Sequence, residues 1–216
     1  MKAAIALAVA LVPMAALTSQ TVTGRTVIAA PKSSVRIPGV AERLDGVWAG
    51  LALDMSLGRF SISAAGTRGS VTPVDAEGAL KRDVGEIVLR GRYDVRNALG
   101  LELRYAARAF SSPAGYQRWD IVGVGPTIAR DLGTPTMQAV ATLAYLPVVN
   151  LSGHGQPSFA MSSEVGLIAA PRGLPLTVLM NYRVERFSFS RLGRVDQFET
   201  LSLSVGLRRR IGGTGE

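Results

Sequence analysis

Apolar and polar residues alternate with a period of two along most of the chain between residues 47 and 211. In residues 84–96 one parity reads Ile87, Leu89, Gly91, Tyr93, Val95, and the other Glu86, Val88, Arg90, Arg92, Asp94, Arg96. Leu101, Leu103 and Tyr105 oppose Glu102, Arg104 and Arg108; Val178, Met180 and Tyr182 oppose Asn181, Arg183 and Glu185; Leu201, Leu203, Val205 and Leu207 oppose Ser202, Ser204 and Arg208. Such a period belongs to β-strands whose two faces meet different media. The pattern predicts strands near 47–57, 59–71, 84–96, 99–111, 116–130, 136–149, 158–170, 174–189 and 197–211. Globular strands average about five or six residues, whereas a tilted membrane strand needs about 9–11. The segments here fit the longer class.

Short connections (57–58, 97–98, 131–134, 172–173) alternate with longer ones (72–83, 112–115, 151–156, 190–196). That is the arrangement of a barrel with tight turns at one end and loops at the other. Nine strands would leave the termini at opposite ends. Either residues 21–30 add a first strand, giving ten, or one candidate is incomplete, giving eight; ten is preferred. Pro31, Lys32, Ser33, Ser34 and Pro38 are expected to interrupt any regular element before residue 46. In 116–130 the apolar parity passes from Trp119 and Ile121 to Val122, Val124 and Ile128, which suggests a bulge at Gly123, Gly125 and Pro126.

The charged parity decides the orientation of the wall. An arginine facing mid-bilayer costs about 2–4 kcal/mol, so a membrane barrel must turn this parity inward. The expected lumen network comprises Glu86, Arg90, Arg92, Asp94, Glu102, Arg104, Arg108, Arg118, Asp120, Glu164, Arg183, Glu185 and Arg208. Arginine's planar fork can hold two carboxylates at once, and eight to ten strands leave room for little else. The expectation is an all-β, closed, antiparallel up-and-down transmembrane barrel of eight to ten strands with a plugged or very narrow lumen. Trp119, Phe159 and Phe198, near the loop ends of their strands, are expected to form a thin interfacial girdle. The inverse arrangement, a lipocalin-like soluble barrel with a greasy interior, produces the same alternation and would carry a hydrophobic ligand.

Composition narrows the alternatives. The 216 residues are 47% hydrophobic with a formal net charge of +8, yet no apolar run beyond the N-terminus is long enough for a membrane helix. The arginines are spread one or two per strand rather than gathered in a patch, which argues against nucleic acid. With no cysteine, a lipoprotein anchor, a disulfide framework and thiolate chemistry are excluded. Residues 1–19 read as a signal peptide, with Lys2 before an apolar stretch and Pro13 ahead of small residues. The expected organisation is a leader, an extension or first strand over 20–45, a barrel over 46–211 and a tail over 212–216.

Across 46–211 the pattern resembles the small bacterial outer-membrane β-barrel superfamily. In that family's terminal-strand signature Ser204, Gly206 and Ile211 fall on the polar, glycine and final places, Ile211 standing for the usual aromatic and Arg209 for an apolar residue. The resemblance implies an outer-membrane monomer folded by the barrel assembly machinery. Some such barrels are lipid A deacylases whose serine follows the catalytic histidine by two positions. His154, the only histidine, has Gln156 there, with Ser152 before it and Glu164 beyond, so a solvated loop histidine is the reading adopted. Ten-stranded barrel proteases need acids at the loop rim, for which Asp196 and Glu199, with Asp75 and Glu77, are the candidates. Arg186, Arg191 and Arg194 around the last loop, with Lys81 and Arg82 beside another, are candidate contacts for lipopolysaccharide phosphates. Arg209 is expected to snorkel to headgroups. No phosphate loop, metal-ligand cluster or acylation motif is found, and no cofactor is expected. The functional expectation is a non-enzymatic outer-membrane component, structural or surface-binding, and at most a narrow pore.

Overall fold

In the computed structural model, which describes residues 20–74, 80–96, 98–113, 115–133, 136–152, 155–190 and 193–211, the chain is a closed barrel. The strands are β1 (Gln20–Ile37), β2 (Val40–Leu57), β3 (Phe60–Pro73), β4 (Arg82–Arg96), β5 (Leu99–Ser112), β6 (Gly115–Asp131), β7 (Met137–Leu151), β8 (Phe159–Ala169), β9 (Leu176–Phe189) and β10 (Arg194–Ile211). Each pairs antiparallel with its neighbours in sequence, and β1 closes on β10, from Gln20 opposite Ile211 to Arg36 opposite Val195. Closure leaves no unpaired sheet edge. The count is ten, so both strand termini lie at the same end, beside the turn at 58–59 and the β4–β5 connection. The signal-peptide reading of 1–19 and the tail at 212–216 lie outside the described residues.

The preferred alternative of ten strands, with a first strand ahead of residue 46, is the one adopted. The expected interruption is corrected: β1 runs from Gln20 through Pro31 to Ile37 instead of breaking there. Pro31 faces Thr200 of β10, while the pairs recorded with β2 pass from Ala29–Trp48 to Lys32–Asp45 without a change of register. A residue lacking one N–H is tolerated because the closed ladder holds its strand from both sides. At residues 38–39 a tight turn, not a long irregular segment, returns the chain. Proline sets the first central position, and Gly39 takes the second with φ +84°, a backbone region costly for residues with a Cβ.

The apolar parity faces outward. Leu51 (68% exposed), Leu89 (46%), Leu103 (51%), Val165 (56%) and Leu203 (50%) project from the wall, while the charged residues of the opposite parity point inward. A soluble pouch with a greasy lumen is therefore not the arrangement adopted. The outward apolar band is limited toward the loop end by Lys32, Asp45, Arg68, Asp83, Asp120, Arg186 and Glu199. Near that edge Tyr105 donates its hydroxyl to Asp120 (2.8 Å) and Tyr182 to Glu199 (2.7 Å), each reaching from a greasy position to a carboxylate on the next strand. Tyrosine suits such a boundary because its ring is apolar and its tip is polar.

The expected bulge in β6 is absent. Trp119, Ile121, Gly123, Gly125, Thr127 and Ala129 all face the lumen, and Val122, Val124 and Ile128 all face out. What changes along β6 is the interior: it is apolar toward the loops and small or polar toward the turns. The irregularity sits in β7, where the pairing steps from Val122–Val148 to Val124–Tyr145, giving β7 one extra residue beside Pro147. Gly125 matters for a different reason, because a Cβ there would lie 1.9 Å from the Leu143 carbonyl oxygen.

Candidate functional site in the barrel lumen

The lumen divides into three levels. Toward the loops it is filled by an aromatic plug. Trp119 of β6 packs on Phe187 of β9 (ring centroids 4.9 Å) and on Phe198 of β10 (5.3 Å), and Phe110 of β5 lies 5.8 Å from Phe198. Leu44, Trp48, Val71, Val84, Ile121 and Leu151 belong to the same buried cluster. Trp119 (1% exposed) and Phe198 (7%) therefore belong to the interior, not to the girdle expected of them; Phe159 does face outward. Period two separates two faces without saying which is wet, and here part of the inward face is dry.

Below the plug, charged side chains cross the lumen. Arg108 donates to Glu86 and, through Nη2, to Oε2 of Glu185 at 2.7 Å. Arg183 donates to both oxygens of Glu86 at 2.9 and 2.7 Å, and Arg104 donates to Oε1 of Glu185. These five residues are all buried and come from β4, β5 and β9, which lie on opposed walls of a ten-stranded ring. The layer braces the barrel across its diameter. Burial makes each pair sensitive to loss of its partner, since an orphaned charge cannot be solvated. Lower still, Arg90 of β4 grips Glu164 of β8 with both terminal nitrogens, Nη2 to Oε2 at 2.8 Å.

The turn-end half is a vestibule of about 580 Å³ that opens to solvent. Its wall carries Thr21, Thr23, Ser61, Ser63, Thr177, Ser202 and Ser204, with Arg208 also lining it. Arg25 is clamped to Asp54 at 2.7 and 2.8 Å and to Ser204 at 2.8 Å. Glu102 also lines this space and has no ion pair within 4.0 Å among the described residues. The lumen is thus plugged over half its height and hollow over the other half. Small Ser, Thr, Ala and Gly side chains on β1, β2, β3 and β10 leave the volume that larger residues would fill.

Several sequence candidates lie elsewhere. Arg92 pairs with Asp94 at 2.7 Å on the inward face of β4. Arg118 and Asp120 pair with each other at 2.9 Å, but on the outer face, because even-numbered residues of β6 point out. They are not part of the lumen network. Arg186 faces outward, whereas Arg194 turns inward onto Asp196 (2.7 and 2.6 Å) and against the Phe189 ring, so those two do not share a surface. Arg191, Asp75, Glu77 and His154 lie outside the described residues. Asp196 is inside and Glu199 outside the wall, and the two cannot converge on one substrate. Arg82 holds Glu42 at the loop end. The aromatic plug was not anticipated; the signal for it was that Trp119 and Phe187 share parity with Ile121 and Glu185 rather than with the lipid-facing residues.

No protein-family model and no curated protein matches the chain. Among solved structures it is similar to the translocator domain of the autotransporter NalP from Neisseria meningitidis, with a TM-score of 0.52 and 13% identity over 91% of this chain and 90% of that one. The β domain of the Bordetella autotransporter BrkA gives 0.51 and 10% identity, over 85% and 98% of the two chains. An outer membrane channel from Pseudomonas putida F1 gives 0.49 and 13%, over 90% and 97%. At such identities the likeness is one of architecture. The chain has the fold of the bacterial outer-membrane β-barrels: closed, all-antiparallel, ten-stranded, greasy outside and braced by buried ion pairs within.

Proposed function

We propose that this protein is a non-enzymatic, non-conducting component of the bacterial outer membrane, a closed barrel that stiffens the envelope and presents its loop end outward. The observation that carries the reading is the layer of Glu86, Arg104, Arg108, Arg183 and Glu185 beneath the aromatic plug. An ion crossing the lumen would have to separate buried, mutually neutralised charges and then pass dry rings. The outward apolar band supports residence in lipid, since a water-soluble chain rarely exposes so large a contiguous greasy surface. Both strand termini and the tight turn at 58–59 lie at one end, and the longer β3–β4 and β7–β8 connections at the other, which fits an orientation with the first end in the periplasm. The protein would be exported, folded by the barrel assembly machinery and stable as a monomer, having no free strand edge to share.

Refolding into planar bilayers tests the reading. The expected record is flat at both polarities, with the protein in the bilayer confirmed by a gel shift that appears only after boiling. Discrete current steps from the wild-type barrel would refute a closed lumen. Recovery of the native protein in the soluble periplasmic fraction would refute membrane residence.

A further inference from the structure

The two ends of the wall differ in how many exposed acids stand among their unpaired cations. Arg25, Arg82, Arg90, Arg92, Arg104, Arg108, Arg118, Arg183 and Arg194 each hold an acid. Among the described residues no such pair is formed by Arg59, Arg96, Arg130, Arg172 and Arg209, all exposed at the turn end, by Arg208, which lines the vestibule, or by Arg36, Arg43, Arg68 and Arg186, exposed at the loop end. Arg130 and Arg209 continue the outward parities of Ile128 and Leu207, directly below the apolar band. Arg59 and Arg172 sit in the turns at 58–59 and 170–175. Arg96 is inward by simple alternation from Arg92 and Asp94, but the register of β4 on β5 shifts between Asp94 and Arg96, so Arg96 pairs with the outward Leu99. The bulge therefore delivers a guanidinium to the outer face. On this rim the described residues include one exposed acid, Asp131, which accepts from Gln138. The other edge carries as many cations but is mixed: Lys32, Arg36, Arg43, Arg68, Lys81 and Arg186 share it with Asp45, Asp83, Asp120 and Glu199.

We infer that the turn-end rim is a binding ring for anionic phospholipid headgroups in the leaflet at that end of the barrel. The inference rests on the reading that the apolar band lies in lipid. Five cations spaced around a circumference and continuous with a greasy wall match phosphates carried on acyl chains. A guanidinium also binds a phosphate through paired, charge-assisted hydrogen bonds. A cation close to an anionic leaflet surface gains from that surface's potential, and the gain fades within a Debye length.

The test reconstitutes the full barrel in vesicles of mixed phosphatidylcholine and phosphatidylglycerol and extracts it gently. The readout is the ratio of phosphatidylglycerol to phosphatidylcholine retained on the protein. Enrichment of about threefold to fivefold over the bulk mixture is expected, falling to the bulk ratio when Arg59, Arg96, Arg130, Arg172 and Arg209 are all changed to Gln. A second variant, Lys32→Gln with Arg68→Gln and Arg186→Gln, should retain the enrichment. Equal retention of the two lipids by wild type, or equal loss in both variants, would overturn the assignment. So would capture of a soluble acidic polysaccharide by the micellar protein without lipid enrichment. Failure of the barrel to insert in vesicles would instead count against the proposed membrane role, and the gel shift on boiling separates that result from a lack of lipid preference.

Discussion

The guanidinium carbon of Arg108 lies 4.4 Å from the ring centroid of Phe198. This contact joins two levels of the lumen that differ in chemistry. Below it Arg108 bridges Glu86 and Glu185, and above it Phe198 packs against Trp119, Phe187 and Phe110. A cation over an aromatic face lets the ionic layer end against the dry plug without water between them. The seal and the brace are mechanically one unit.

Glu185 serves Arg104 and Arg108 together. Glu185→Leu is expected to destabilise the barrel by about 3–5 kcal/mol, because it leaves buried guanidinium charge without its acid. The midpoint of urea unfolding from lipid vesicles measures it. A midpoint equal to wild type would mean that Glu86 alone can neutralise the layer.

Phe187 is fully buried in the plug. Phe187→Ala should cost about 3–5 kcal/mol through lost burial and the cavity left behind. It should nevertheless leave the barrel non-conducting, since the ion pairs beneath are untouched. Single-channel steps from this variant would assign the seal to the rings rather than to the charges.

The two faces should tolerate arginine in opposite ways. Leu103→Arg places a charge within the outward apolar band and should lower stability by about 2–4 kcal/mol. Ser63→Arg enters the hollow vestibule and should change the unfolding midpoint little. A reversed order would invert the wall.

Since the chain lacks cysteine, a single introduced thiol reports access cleanly. Ser63→Cys in oriented vesicles should react with a membrane-impermeant maleimide only from the turn side. Labelling from the loop side at a similar rate would mean the plug and ionic layer are permeable to small molecules.

Gly125 is expected to resist even the smallest substitution. A Cβ there meets backbone rather than a movable side-chain tip, so Gly125→Ala should reduce folded yield, with a penalty of about 1–3 kcal/mol from forced displacement of β7. Heat-modifiable gel mobility follows the folded fraction, and a wild-type yield would show that β7 can retreat.

The strand pattern was legible because a period of two needs only neighbours along the chain. The alternation of Leu101, Leu103 and Tyr105 with Glu102 and Arg104 marks a two-faced wall whatever it encloses. The cost of arginine in hydrocarbon then turns that wall the right way out, and Arg90, Glu164, Arg183 and Glu185 do point inward. Legibility failed where one face meets two media. Trp119 and Ile121 looked outward because they are greasy, and the parity change in β6 looked like a bulge because its lower lumen face is glycine and threonine. Arg118 and Asp120 looked inward because they are charged, yet they pair with each other near the interface. Likewise the Pro–Gly turn at 38–39 was hidden by two prolines and a polar run, yet β1 continues past Pro31 with β10 on one side and β2 on the other.

Alternation, strand length and the energetic cost of charge in lipid were enough to determine from sequence that this chain makes a closed wall with arginine and glutamate inside it. Tertiary structure decided which acid meets which arginine across the lumen, where the interior becomes dry, and that half of it stays hollow. The physical reason is one of range: a strand's two faces are set by its immediate neighbours. What fills the space between opposed walls depends on side chains as far apart in sequence as Arg183 and Glu86, brought together only when β1 closes on β10.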